Sequence, residues 1–190
     1  MSEVKINSGN VGRIAERIIS NELESRGYRV SDLNKEGTSA NADLLAAKDG
    51  KSWQIQVKGS THDRGCWFNY GVCAEGNVER GEPMFNRARS FYQAQIVALV
   101  CVESASKYCC VLLPISKAEE LARINIAREY ARPNEDGSKK RPSRVWSSLN
   151  EIPPRLKDTV RIDSMKREQA VLQEYAGRWD IDTFAEAMKA

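Results

Sequence analysis

Asp43, Gln56, Val57 and Lys58 are the residues of this chain whose types and spacing could do chemistry. In "SWQIQVKGS", residues 52–60, Trp53, Ile55 and Val57 alternate with Gln54, Gln56 and Lys58. A strand there turns three apolar side chains to a core and lines up three polar ones on the opposite face. Asp43, separated from Gln56 by twelve residues, sits between Ala42 and Leu44, where a strand more naturally holds an apolar or neutral side chain. A carboxylate oxygen of Asp43, the amide oxygen of Gln56 and the peptide carbonyl of Val57 are hard donors of the kind Mg²⁺ prefers. Lys58, on the face of Gln56, would stand beside such a cation. An ammonium there can hold or deprotonate a water and offset charge on a phosphate.

The elements that must position these groups are well punctuated. "SGNVGRIAERIISNELESRGY" (8–28) reads as a helix, with Ser8 or Asn10 to cap its start and Gly27 its end. Val11, Ile14, Ala15, Ile18, Ile19 and Leu23 follow the helical period, and Glu16 lies at the edge of that apolar face. "YRVSDL" reads as a short strand. "ANADLLAA", an Asp49-Gly50 turn and "SWQIQVKGS" form a hairpin, the last segment being a buried-edge strand. Pairing across this turn is expected to bring Asp43 and Gln56 to one end of the hairpin without making them direct neighbours. "PMFNRARSFYQAQ" reads as a helix leading into the apolar strands "IVALVCV" and "YCCVLLP", and "SKAEELARINIAREYAR" as a further helix. Residues 133–144 form a basic loop, and "DSMKREQAVLQEYAGRW" a C-terminal helix. The order predicts a mixed α/β core with helices on both faces. Residues 1–132 make the core, and 133–190 the basic loop and a helical extension packed on the same domain.

Composition narrows the function classes. The chain has 190 residues, 41% hydrophobic and 29% charged, with a net charge of +3, as expected of a folded globular protein. The charge does not demand a nucleic-acid partner but leaves room for a local basic patch. The start lacks an apolar signal region and no run of 18 apolar residues occurs, so secretion and membrane insertion are not expected. The five cysteines show no CxxC pair. Cys101, Cys109 and Cys110, in apolar strand-like runs, read as reduced, small hydrophobic side chains, and the compartment as reducing and cytoplasmic. His62, Cys66 and Cys73 lack the fourth ligand and the spacing of a zinc module. "GSTHDRG" (59–65) lacks the phosphate-loop pattern, so no small-molecule cofactor is expected.

Asp43, the twelve-residue spacing, Gln56-Val57-Lys58 and a preceding helix bearing Glu16 resemble the PD-(D/E)xK nuclease superfamily, in a QxK variant. The likeness spans roughly residues 9–115 in element order. It implies a restriction-endonuclease-like fold, a mixed sheet of about five strands flanked by helices, followed here by the C-terminal helical extension. By that likeness Asp43 is the first acid, Gln56 the second position, Lys58 the lysine and Glu16 the helix-borne acid near the metal. Asp43, Gln56, Val57 and Glu16 would hold Mg²⁺, with Mn²⁺ able to substitute. Ala42 stands where the motif has proline, and Gln56 where it has Asp or Glu; the amide brings no negative charge.

The reading is thus a metal-dependent DNA endonuclease, a phosphodiester hydrolase of restriction, junction or repair type, with a homodimer expected where two strands are cut. Its rival is a catalytically silent nuclease-fold module that binds nucleic acid or serves assembly. Arg132, Lys139, Lys140, Arg141 and Arg144, with Arg123 and Arg128 on the helix before them, make the densest basic stretch. They are the expected DNA phosphate contacts. Trp67, Phe68 and Tyr70 are read as packing residues before base-stacking ones, and His62 as a loop histidine before a general base.

Overall fold

A two-residue turn at Asp49-Gly50 sets the register of the sheet. Both residues take positive φ, 50° and 76°, the combination that a type I′ hairpin turn requires and that matches strand twist. In the computed structural model of the protein the described residues are 10–34, 42–61, 66–69, 74–75, 84–85, 94–104, 107–131, 146–148 and 155–185. Strand β2 (Leu44–Lys48) and strand β3 (Lys51–Thr61) flank the turn, and β1 (Arg29–Asp32) pairs antiparallel with β2. The apolar strands β7 (Ile96–Ser104) and β8 (Lys107–Pro114) complete a five-stranded sheet in the order β1-β2-β3-β7-β8. All its pairings are antiparallel except β3–β7, which is parallel from Ile55–Ile96 to Thr61–Val102. The mixed α/β class expected from the sequence is the one observed.

One detail of that expectation is corrected. β3 is not an edge strand but the middle one, because the run Ile96–Val102 is apolar without alternation and buried throughout. Such a strand needs partners on both sides and cover on both faces. Two-stranded pairs β4 (Trp67–Asn69) with β9 (Trp146–Ser148), and β5 (Ala74–Glu75) with β6 (Met84–Phe85), stand apart from the main sheet. Met84 and Phe85 were expected to open a helix; instead they pair with Glu75 and Ala74, and the rest of that segment to Gln93 lies outside the described residues. The cysteine reading is also corrected: Cys66 and Cys101 form a disulfide. Parallel pairing sets Ser60 beside Cys101, and Cys66, whose N–H donates to the Thr61 carbonyl, returns to the end of the same strand.

Helix α1 (Val11–Glu24) covers the face of β3 that carries Trp53, Ile55, Val57 and Gly59, burying Val11, Ala15, Ile18, Ile19 and Leu23. It ends as expected: Gly27 has φ of 85°, and its N–H and that of Tyr28 close back on Glu24 and Leu23. Helix and strand touch at Gly59, where an added Cβ would lie 2.9 Å from the Val11 carbonyl oxygen and 3.1 Å from Ala15 Cβ. Helix α2 (Ile115–Ala131) starts straight from Pro114 and packs on α3 (Thr159–Tyr175). Asp158 caps α3 by accepting from the Arg161 N–H. Between these helices Arg128 and Glu168 form a buried ion pair at 2.8 Å, with Ser164 beside it. α3 ends at Tyr175, short of the expected Trp179; Ala176 bridges to Val111, and Gly177 turns the chain with φ of 72°. The tail then lies against α1's far end, with Tyr28 donating to Asp182 and Arg26 over Trp179.

Two outcomes follow from this packing. Gly59→Ala must push the Val11 backbone away, so we expect a loss of about 1–3 kcal/mol, read as a lower urea midpoint. Burial pushes the Glu168 carboxyl up to about 7, although Arg128 and Ser164 pull it down. Its folded value therefore exceeds the unfolded one, and stability is greatest below the ordinary carboxylate range and falls as pH rises through about 7. The unfolding free energy, from denaturant titrations between pH 5 and pH 8, is expected to fall in the wild type by up to about 3 kcal/mol more than in Glu168→Gln.

Candidate functional site

β2 stops where β3 does not. The last ladder pair is Leu44 with Ile55, while β3 continues to Thr61 with β7 on its other side. Asp43 comes next in the chain, and its carboxylate accepts directly from the Gln56 amide, which corrects the expectation that the two are not direct neighbours. Asp43 bonds on through its main chain, its N–H to the Ile55 carbonyl and its own carbonyl accepting from the Leu33 N–H, both at 2.9 Å. Its side chain then turns inward. Oδ2 accepts from the Val57 N–H at 2.7 Å and from Gln56 Nε2 at 2.5 Å, and Oδ1 from Asn34 Nδ2 at 3.3 Å. A carboxylate oxygen thus occupies the position of the ladder carbonyl that β2 no longer supplies.

That bond fixes a second donor. In an extended strand the N–H and C=O of one residue leave on the same side, so the Val57 carbonyl points to the side of Asp43. Gln56 is buried, Asp43 and Lys58 half-buried. Burial pushes the Lys58 ammonium below its ordinary range, and the negative charge of Asp43 pushes it partly back. Glu16, partly buried, follows Ala15, the residue over Gly59. By the helical period it shares with Leu23 one flank of α1.

No protein-family model matches the chain, and no curated protein matches it. Among solved structures it is similar to a bacterial homing endonuclease, I-Ssp6803I. The two are 11% identical, with a TM-score of 0.41, over 89% of this chain and 95% of the other.

The donors at the β2–β3 split suit a hard cation in kind, since Asp43, the Gln56 amide and the Val57 carbonyl all offer oxygen. They suit it less in charge. Among the described residues no three His, Cys, Asp or Glu side chains gather as a metal cluster, and Gln56 spends its NH₂ on Asp43, leaving Oε1 as its donor atom.

Other expected site residues fall elsewhere. Arg132, Lys139, Lys140, Arg141 and Arg144, with His62 and Tyr70, lie outside the described residues. Arg128, counted with the basic stretch, is buried against Glu168. Phe68 is core, 1% exposed, as its packing reading required. Gln54 is half-buried, and its main chain bonds Gln95 twice, donating to Oε1 and accepting from the N–H. Two supporting residues gave no signal in the sequence: Asn34, nine positions before Asp43, and Gln95, which steadies the start of the β3–β7 pairing.

Asp43→Ala leaves the Val57 N–H and the Gln56 amide without this acceptor. The expected loss is about 1–3 kcal/mol, with faster hydrogen exchange at the Val57 amide and little change at Trp53.

Proposed function

We propose that this chain is a metal-dependent DNA endonuclease hydrolysing phosphodiester bonds. One observation carries the reading: the Asp43 carboxylate is seated on β3 at Val57 and Gln56, with half-buried Lys58 next on the same polar face. Asp43, the Gln56 amide oxygen and the Val57 carbonyl would hold Mg²⁺ or Mn²⁺, and Glu16 would add a second carboxylate from α1. When bound, the cation supplies Lewis-acid polarisation of the phosphate and acidifies a water. Lys58 hydrogen-bonds that water and orients it; its lowered proton affinity favours the neutral amine that can take the water's proton. The water oxygen bonds to phosphorus as the bond to the 3′ oxygen breaks, leaving a 3′-hydroxyl and a 5′-phosphate. Arg132, Lys139, Lys140, Arg141 and Arg144 would meet backbone phosphates, giving salt-sensitive affinity. Two copies would serve where both strands are cut. Among the described residues no helix is long and apolar enough to cross a membrane.

A second reading has its own observation. Gln56 donates an N–H into Asp43 where a carboxylate would share a cation with it, which favours a silent nucleic-acid-binding or assembly module.

Incubation of supercoiled plasmid, single-stranded DNA and a branched junction with Mg²⁺ or Mn²⁺ separates the two. The endonuclease reading expects cutting by the wild type and a loss of about a hundredfold or more in Lys58→Ala, the scale of a positioned proton acceptor. Binding of DNA by both proteins with no cutting by either would leave the silent module.

A further inference from the structure

Gln54 is the residue on the polar face of β3 that the proposed chemistry leaves unused. It lies two residues before Gln56, about 7 Å from it along the strand. Its main chain is held at both groups: the N–H donates to Gln95 Oε1 and the carbonyl accepts from the Gln95 N–H, each at 2.9 Å. These are its hydrogen bonds among the described residues, so the half-buried carboxamide has no partner there. A fixed strand thus presents amide donors and an acceptor beside the candidate site, and the fold uses neither.

The sheet around Gln54 is open on this face. The register sets Leu45 and then Ser31 beside Gln54, and Ala47 and then Arg29 beside Ser52. Ser31, Ser52 and Arg29 are exposed and Leu45 and Ala47 half-buried, while Leu44, Ala46 and Trp53, turned to α1, are buried. On β7 the face closes again: Val97 and Leu99 are fully buried, and α2 and α3 lie against β7 and β8. The open part is flat, because most of its side chains are short. Arg29 makes no ion pair among the described residues, and Lys58 stands at the other end of the same face. Protein interfaces are built on aromatic and large apolar side chains, and here Leu45 is the one large apolar residue of the six. A polyanion with hydrogen-bonding edges fits such a surface better.

We infer that Gln54 reads a base edge in the major groove of the DNA whose scissile phosphate lies at Asp43 and Lys58, with Arg29 on a phosphate across that groove. The inference rests on the endonuclease reading for the position of the scissile phosphate. A neutral amide competes poorly with Lys or Arg for phosphate, but it matches adenine, which offers the N7 acceptor and the N6 donor side by side. The step of about 7 Å from Gln56 to Gln54 is roughly half the ~12 Å width of the major groove, the distance from the backbone at its rim to the base edges within. Arg29 lies two strands over, about 10 Å from β3, which is the scale of the groove itself. The short side chains of Ser31, Ala47 and Ser52 let the groove settle on the sheet, as it does on other β-sheet readers.

The test uses the full chain and a pool of DNA duplexes with randomised positions, sequenced after selection for binding in EDTA and after cutting with Mg²⁺. The wild type is expected to favour adenine about tenfold or more at one position, close to the cut in the cleaved pool. Gln54→Ala should flatten that preference. Gln54→Glu should move it to cytosine, whose amino group a carboxylate accepts; a residue that only supported the fold would do neither. The thermal midpoint of Gln54→Ala should match the wild type, since the carboxamide has no partner to lose. Arg29→Ala is expected to reduce the salt slope of binding by about 0.9, one phosphate contact, while Arg167→Ala, on the exposed side of α3, leaves it unchanged. An Arg29→Ala slope equal to that of the wild type overturns the placement of the duplex over β1. A wild type without base preference, or a preference that survives Gln54→Ala, overturns the inference; if DNA is cut all the same, the endonuclease stands. If the bound pool shows a preference that Gln54→Ala abolishes but nothing is cut, the base reading stands and the endonuclease fails.

Discussion

Everything at this site depends on a hydrogen bond that a β-sheet does not ordinarily contain, the one from the Val57 N–H to the Asp43 carboxylate at 2.7 Å. A strand that outruns its neighbour exposes a row of main-chain groups that must find partners or remain wet. Here β2 ends at Leu44, and the first side chain beyond it answers the first such group on β3. The bond holds the two strands together just where they separate, fixes the carboxylate against the strand and orients the Val57 carbonyl beside it. Structure and candidate chemistry share the same atoms, so the site cannot be loosened without loosening the hairpin.

The remaining elements are arranged to keep β3 in place. Parallel pairing with β7 begins at Ile55, where β2 gives out, so β3 is paired on at least one side along its whole length after the turn. α1 presses on the other face at Gly59, where the absence of a side chain lets the helix backbone come within van der Waals contact of the strand. That contact fixes where both Glu16 and the helix amino end fall relative to Lys58. Farther away, α2 and α3 are joined by a buried ion pair whose carboxyl is held well above its ordinary range. Removing one partner of such a pair costs more than the pair itself contributes, because the other charge is then left buried and uncompensated.

Short-range patterns made much of this legible. Asp49-Gly50, the alternation in 52–60 and the helical period from Val11 to Leu23 specify a hairpin and a helix, because each rests on local backbone preferences. The turn also brought Asp43 to Gln56, residues expected near one another but found in direct contact. What did not show was everything set by distant partners. The central position of β3 depends on β7, some forty residues on. The Cys66–Cys101 bond depends on the same pairing, and Met84–Phe85 pair as a strand with residues ten positions earlier. In the basic stretch a buried Arg128 looks no different from an exposed arginine until its helix finds α3.

Gln56 is the residue on which the proposed chemistry turns, and its effect would extend beyond metal affinity. Lys58 is subject to two opposing influences: burial lowers its proton affinity, and the Asp43 charge raises it. With a carboxylate at 56, a second negative charge on the same face would reinforce Asp43 and keep the ammonium charged. The amide withholds that charge, so burial prevails and Lys58 is nearer to serving as a base. It also donates to Asp43, restraining the carboxylate in the absence of a cation. A neutral residue here would therefore weaken the hold on a divalent ion while leaving the neighbouring lysine more readily deprotonated, two effects of one missing charge that act in opposite directions on the proposed reaction.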